Sequence, residues 1–345
     1  ATSFNQNIGR WDTSNVNNMW RMFYRATSFA NQDLTCWDVA NVLSRLDFGT
    51  DWGTGSKEPY WGGTPCPTSN PNKNPKAFKI RVTGTSFGFL KDHRKVDPVS
   101  IGSTYVYDYR VDCQNDGTFD YIHQSANTLC TYSHAGPHII GIEGSFPYFR
   151  ADTGDEAQIV SIVSWGNIQW VDLSYAFAGA SNLRGIETSV APDLSNIRNM
   201  IGMFQGASQF NADLSLWDTS ALTSIALMFQ RAEKFNGNVT TWDVSNVRVA
   251  WGAFDGAIAF NQNISQWVTS SMTNASYMFR QASSFNQNLS NWDMSSVLSV
   301  TGMFHGAIDF TGQDLSSWDV SQVDTRNRNN FDTGWGDNNI APVWR

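Results

Sequence analysis

The chain has 345 residues, enough for two or three domains of usual size, and sets Lys plus Arg of 23 against Asp plus Glu of 31, a formal net charge of −8. Mild acidity on only 16% charged residues argues against nucleic acid and against anionic membrane surfaces as partners. No apolar run approaches the length of about 18 residues that a membrane helix requires, so no membrane insertion is expected in this segment.

Taken from its start, the chain opens inside a repeat. Ala1 to Gln6 correspond to Ala282 to Gln287, where a secretory leader would otherwise stand, so the expectation is a segment of a longer protein or an end that stacks on another module. Phe4 and Phe29 lie 25 residues apart, and Trp11-Asp12 is answered by Trp37-Asp38. The pattern then stops at Asp47-Phe48-Gly49-Thr50-Asp51-Trp52-Gly53, followed by Pro59-Tyr60-Trp61. We read residues 1–61 as the end of a first repeat array with its C-terminal cap. Residues 62–75, rich in Pro, Gly, Asn, Ser and Thr, read as a linker. Within 76–150, Lys79 to Val82, Tyr105 to Val111 and Ile139 to Ile142 alternate or cluster as strands do, which predicts a small β-sandwich.

A second array fills 151–345. Residues 151–200 read as an N-terminal capping region and a divergent first coil. Phe204, Phe229, Phe254, Phe279 and Phe304 then keep a strict period of 25, as do Phe210 to Phe310 and Ala207 to Ala307. Trp217, Trp242, Trp267 and Trp292 follow, with Trp318 one residue late. Fixed self-similarity at such a period is the signature of stacked repeats, in which no unit buries its apolar face alone. Most of the 15 Trp and 22 Phe sit on these combs and read as core. Within one copy, Val297, Val300, Met303 and Phe304 have helical spacing behind an Asp or Ser suited to capping, and Leu289 to Trp292 suits a short extended segment. The expected fold is therefore an α/β repeat solenoid, leucine-rich-repeat-like, whose 25-residue coils each combine a short strand and a short helix, with an inserted all-β sandwich. Asn5-Gln6-Asn7, Asn261-Gln262-Asn263 and Asn286-Gln287-Asn288 read mainly as amides that satisfy turn backbone between coils, and otherwise as a polar binding ladder. Phe331 to Gly336 and then Pro342-Val343-Trp344 form a tail like that of the first array, read as its C-terminal cap.

Met278 to Val297 resembles, almost without gaps, the BspA-type repeat of bacterial surface proteins, Met-Phe-x-x-Ala-x-x-Phe-Asn-Gln-x-Leu-Ser-x-Trp-Asp-x-Ser-x-Val. Val268, where Asp is expected, and Ala253, where Met is expected, depart from it. Tyr107 to Gly117, Tyr132 to His138 and Gly144 to Pro147 are similar to PKD-like modules of the immunoglobulin fold, although the usual Trp-Gly-Asp-Gly turn is here Cys113-Gln114-Asn115-Asp116-Gly117. The resemblance implies a secreted or cell-surface protein used for adhesion and matrix contact. It does not imply catalysis.

The residues offer little chemistry. Cys36, Cys66, Cys113 and Cys130 lack Cys-x-x-Cys spacing, so zinc is not expected. Cys113 and Cys130 flank a hairpin-like stretch of one β-module, which suits a disulfide in an extracellular protein; Cys36 either pairs with Cys66 or serves as a small core residue. Asp112, Asn115, Asp116 and Asp120 cluster oxygens about a Gly turn. Two readings stay open, part of a calcium loop that lacks its bidentate Glu, or an ordinary Asn-Asp-Gly hairpin turn. No nucleophile elbow, His-Glu-x-x-His or Gly-rich phosphate loop occurs, so no enzyme is expected. The functional expectation is an extracellular surface or fibre-forming protein, adhesive or structural. Its partners would be other copies or modules of itself, host or matrix proteins, or glycans. The competing expectation is a carbohydrate-binding module that stacks sugars on Trp20 and Trp251, which share one repeat position.

Overall fold

The computed structural model of the chain describes residues 8, 13, 15–30, 34, 37, 39, 41–52, 54, 56, 58–59, 76–89, 107–125 and 127–344. These form two compact units, residues 1–75 with 112–120, and residues 76–111 with 121–345.

Among the described residues there is no α-helix; two single-turn 3-10 helices, Glu156–Gln158 and Thr325–Arg328, are the whole helical content. This overturns the expected α/β coil of strand plus helix. The reason lies in where the backbone N–H groups go. Those of Ala250, Gly252, Phe254 and Gly256 donate to the carbonyls of Asn274, Ser276, Met278 and Arg280 in the next coil, while those of Ala253, Asp255 and Ala257 close tight turns onto Ala250, Gly252 and Phe254. An α-helix would send every N–H to the residue four before it. Each coil also places two residues in the left-handed region, four apart, as at Tyr277 (φ 59°) and Gln281 (φ 57°), which a right-handed helix cannot contain. Successive turns reproduce the apolar spacing of three and four that a helix would show.

In the first unit, Met19, Arg21, Phe23 and Arg25 donate to the carbonyls of Ser44, Leu46, Phe48 and Thr50, so two coils lie side by side in parallel. Ile8, Met19, Phe23, Ala26, Phe29, Leu34, Trp37 and Phe48 form its buried core. The Trp52 ring packs against Phe23, Phe29 and Phe48, closing that core on one side.

The second unit begins with β1 (Phe78–Val82), β2 (Ser86–Phe89), β3 (Asp108–Asp112), β4 (Tyr121–Gln124), β5 (Thr128–Thr131), β6 (His138–Ser145), β7 (Ile159–Ser164) and β8 (Gly185–Ile186). One sheet runs β4-β3-β6-β1-β7-β8, and β2 pairs with β5 in a second. The larger sheet is mixed: β1 lies antiparallel to β6 and β7, whereas β7 and β8 are parallel. Within residues 76–150 the pairs β1–β6, β2–β5 and β3–β4 are antiparallel and fall in two sheets; beyond 150 the larger sheet continues through β7 to β8, which belongs to a coil and adds in parallel. Phe89 of β2 packs on Tyr109 of β3 and on Phe146 and Phe149, which joins the two sheets. Phe149 and Trp165 reach Phe177, so the same core continues into the coils.

Parallel bridges link Asn199, Ser224, Val249, Asn274 and Ser299, one step per coil. Inside, the ring column Phe177, Phe204, Phe229, Phe254, Phe279 and Phe304 stacks at 5.5–5.8 Å, with a second column from Phe210 to Phe310 beside it. All of these rings are almost fully buried, each contributing about 2 kcal/mol or more by leaving water. At Phe331 the stacking ends in an edge-on contact with Phe304. Polar columns run alongside. The side-chain oxygens of Asn211, Asn236 and Asn261 accept the N–H of Asn236, Asn261 and Asn286, so the amides do satisfy backbone between coils. Asp255, buried, accepts from Gln230 and from both forks of Arg280.

Candidate binding groove

A tryptophan ladder defines what a complete coil boundary looks like. The indole Nε1 of Trp242, Trp267, Trp292 and Trp318 donates to the carbonyl of Leu214, Val239, Ile264 and Leu289 in the coil before, at 2.8–3.1 Å. Trp37 does the same to Ile8 in the first unit. Trp217 begins the ladder and has no such acceptor. The usual offset of 28 residues points to Ser189, but there the chain leaves the pattern. β8 draws Gly185 and Ile186 toward β7, and Pro192 stands where the comb would place a tryptophan. Pro locks its own φ and restricts the residue before it, so Ala191-Pro192 does not fit a ladder position.

The result is a groove of about 390 Å³ between residues 188–191 and 211–217. Trp165 forms its floor and meets Trp217 edge-on at 5.6 Å. The Trp165 ring is 1% exposed, and its Nε1 is buried without a hydrogen-bond partner. Leu216 and Val190 on the rims are each 69% exposed, unusual for residues of this type beside a cavity. The Val190 N–H bonds to Thr188 Oγ1, and the N–H groups of Thr188, Ser189 and Ala191 make no backbone bond. Around β8 a second cavity of about 530 Å³ is lined by Arg81, Arg184 and Glu187, where Arg81 grips Glu187 through two hydrogen bonds of 2.9 and 3.0 Å. The arrangement offers one accessible indole donor, that of Trp217, beside apolar rims and N–H groups that make no backbone bond.

The residues singled out from the sequence lie elsewhere. Cys113 and Cys130 form a disulfide and are almost fully buried; Cys36 and Cys66 fall outside the described residues. Asp112 accepts the N–H groups of Asp116 and Gly117, Asp116 that of Thr118, and Asp120 that of Cys113, while Asn115 is buried with φ 53°. Burial pushes the Asp112 carboxyl above its usual range against the pull of the Gly117 and Asp116 N–H groups. The four thus build a hydrogen-bonded turn, and among the described residues no group of three or more His, Cys, Asp or Glu is placed to hold a metal ion. Trp20, 54% exposed, lies in the first unit with Arg21 over its ring, and Trp251, 40% exposed, lies in the second between Ala226 and Ser276 of the flanking coils. The groove itself was not foreseen. Its signal was the irregular leader, where Trp165 and Trp170 stand out of register and the comb starts only at Trp217.

Comparison with known proteins gives one family model, described as "Mycoplasma protein of unknown function, DUF285", which matches residues 1–48, 171–267 and 240–340. No curated protein and no solved structure matches the chain.

Proposed function

The chain belongs to the family described as "Mycoplasma protein of unknown function, DUF285", and from that premise we propose a non-catalytic extracellular surface protein whose stacked coils present contact surfaces to matrix or host partners. The observation that carries this reading is the coil stack itself. Its interior is saturated with rings, its backbone bonds run from coil to coil, and its recognition groups face outward at the irregular first coil. The Cys113–Cys130 disulfide supports an oxidising compartment, where such bonds form and persist.

The test is exposure on intact cells that make the protein. A membrane-impermeant lysine or carboxylate reagent should label peptides of residues 193–340 before lysis, and the labelled chain should be retained on immobilised matrix proteins. Labelling that appears only after lysis would overturn the reading. Exposure of Trp20 and Trp251 supports a second one, sugar stacking; Trp251→Ala would then abolish retention on a glycan array.

A further inference from the structure

We propose that the first unit pairs two copies of this chain, face to face, through the outer side of its two coils. That side carries two parallel rows, held in register by the bridge between Asn18 and Ser44. One row holds Trp20, Arg21 and Arg25; the other holds Leu46, Asp47 and Asp51, and the Arg21 N–H donates to the Leu46 carbonyl between them. Trp20 is 54% exposed, Leu46 67% and Leu43, just before the bridge, 90%. Together they leave on the order of 400–500 Å² of surface in water, a size at which an apolar patch is often functional. The architecture does not require it. In the closing turn of the second unit Asn327 takes the place of Ser44, and there Arg326 and Asn329 stand where Leu43 and Leu46 stand here. Nor does the exposure come from the end of a stack. Trp251 occupies the Trp20 place with a coil on either side and is still 40% exposed.

The charges indicate what lies on this face. The basic groups stand on one row and the acidic groups on the next, with Arg21 bonded to Asp47 at 3.0 Å and Arg25 3.9 Å from Asp51. A face divided in this way is its own complement. A two-fold axis running along the rows, midway between them, lays each basic row over an acidic one. Arg21 and Arg25 then meet the partner's Asp47 and the partner's Asp51, and the Trp20 ring meets the partner's Leu46. The apolar side chains leave water at the centre of the contact and the charges rim it. With those flanks the patch approaches the roughly 800 Å² per partner of a standard interface, so association in the micromolar range is expected. A different protein would need the same division of charge, which a second copy already has. A sugar would stack on the Trp20 ring, yet Arg21 lies over it, 5.1 Å from its centre.

Sedimentation of the full chain across micromolar concentrations tests this pairing. The expected result is a reversible rise to twice the mass of one chain. Trp20→Ser with Leu46→Asn, residue types that Ser276 and Asn329 supply at the same places, should weaken association at least tenfold at an unchanged unfolding midpoint. Two charge variants complete the test, one with Arg21→Asp and Arg25→Asp, the other with Asp47→Arg and Asp51→Arg. All four places are left-handed, and both Asp and Arg already occupy such places in this chain. Each variant should be monomeric alone, because like charges would face each other, and an equimolar mixture of the two should dimerise. A parent chain that stays monomeric at the highest concentration overturns the proposal and leaves the face to a glycan or another protein. A W20S/L46N variant that dimerises like the parent overturns it too, as does a mixture that stays monomeric. A chain that never dimerises but is labelled on cells and retained on matrix proteins would remove this pairing alone and leave the surface reading standing.

Discussion

At the corners of each coil a side-chain oxygen accepts the N–H two residues further on. Asp218 serves Ser220, Asp243 serves Ser245, Asp293 serves Ser295 and Asp319 serves Ser321. At the matching place in the remaining coil stands Val268, 55% exposed and unable to accept anything. Val268→Asp should therefore raise stability by about 0.5–1 kcal/mol, read as a higher urea midpoint with an unchanged slope. A midpoint that stays or falls would show that the corner does not depend on this bond. The same carboxylates set a pH dependence. The Ser220 and Ser295 hydroxyls, then their N–H groups, hold Asp218 and Asp293 below the usual carboxylate range. A depressed folded-state pKa contributes stability above the unfolded value and loses it as pH falls through the folded one. Stability should drop below about pH 4. Asp112, raised mainly by burial, acts in the opposite sense. Asp293→Asn keeps the acceptor, as Asn263 and Asn288 show at the other corner, but cannot titrate, so its loss between pH 6 and pH 3 should be smaller than the parent's.

At the scale of the coil, much was legible and one thing was misread. The 25-residue period, the ring columns and the amide ladder follow from residue identity, because stacked copies must bury like against like. The helix did not follow, since consecutive tight turns and a helix both return apolar residues after three and four positions. What separates them is glycine. Gly202 and Gly206, Gly252 and Gly256, Gly302 and Gly306 recur four apart within segments that would have been helix interiors, where glycine is disfavoured. In the coils between, larger residues take the same left-handed positions, Leu227 and Tyr277 among them. The alternation has a steric cause: a Cβ at Gly302 would lie 2.8 Å from Tyr277 Cδ1, and one at Gly202 would overlap Tyr175. Gly302→Ala, at φ 57°, should cost about 1–3 kcal/mol, and less in a chain that already carries Tyr277→Ala. Equal losses in both backgrounds, measured by thermal unfolding, would rule out the ring as the cause. The groove was legible only as a flaw in the period, because a missing hydrogen-bond acceptor leaves no mark in residue identity.

On the scale of the whole molecule, the coil stack of the second unit is a structure of neighbours. From Ala250 to Gly256 every inter-coil bond goes to the coil that follows, and no coil reaches two steps away through its backbone. Those bonds point along the stacking direction, across the chain rather than along it. Such a lattice has a mechanical character of its own. Tension applied through the two ends of the chain meets each row of bonds in peeling geometry, one bond after another, and never loads all rows together. A stack built this way should yield to tugging in small instalments, each coil releasing its 25 residues, roughly 80–90 Å of contour, while its neighbours hold. Single-molecule extension should show a train of low, evenly spaced force peaks with that increment, and one tall rupture would contradict it. In the surface role proposed above, the coils would then act as a shock absorber, lengthening one at a time under load.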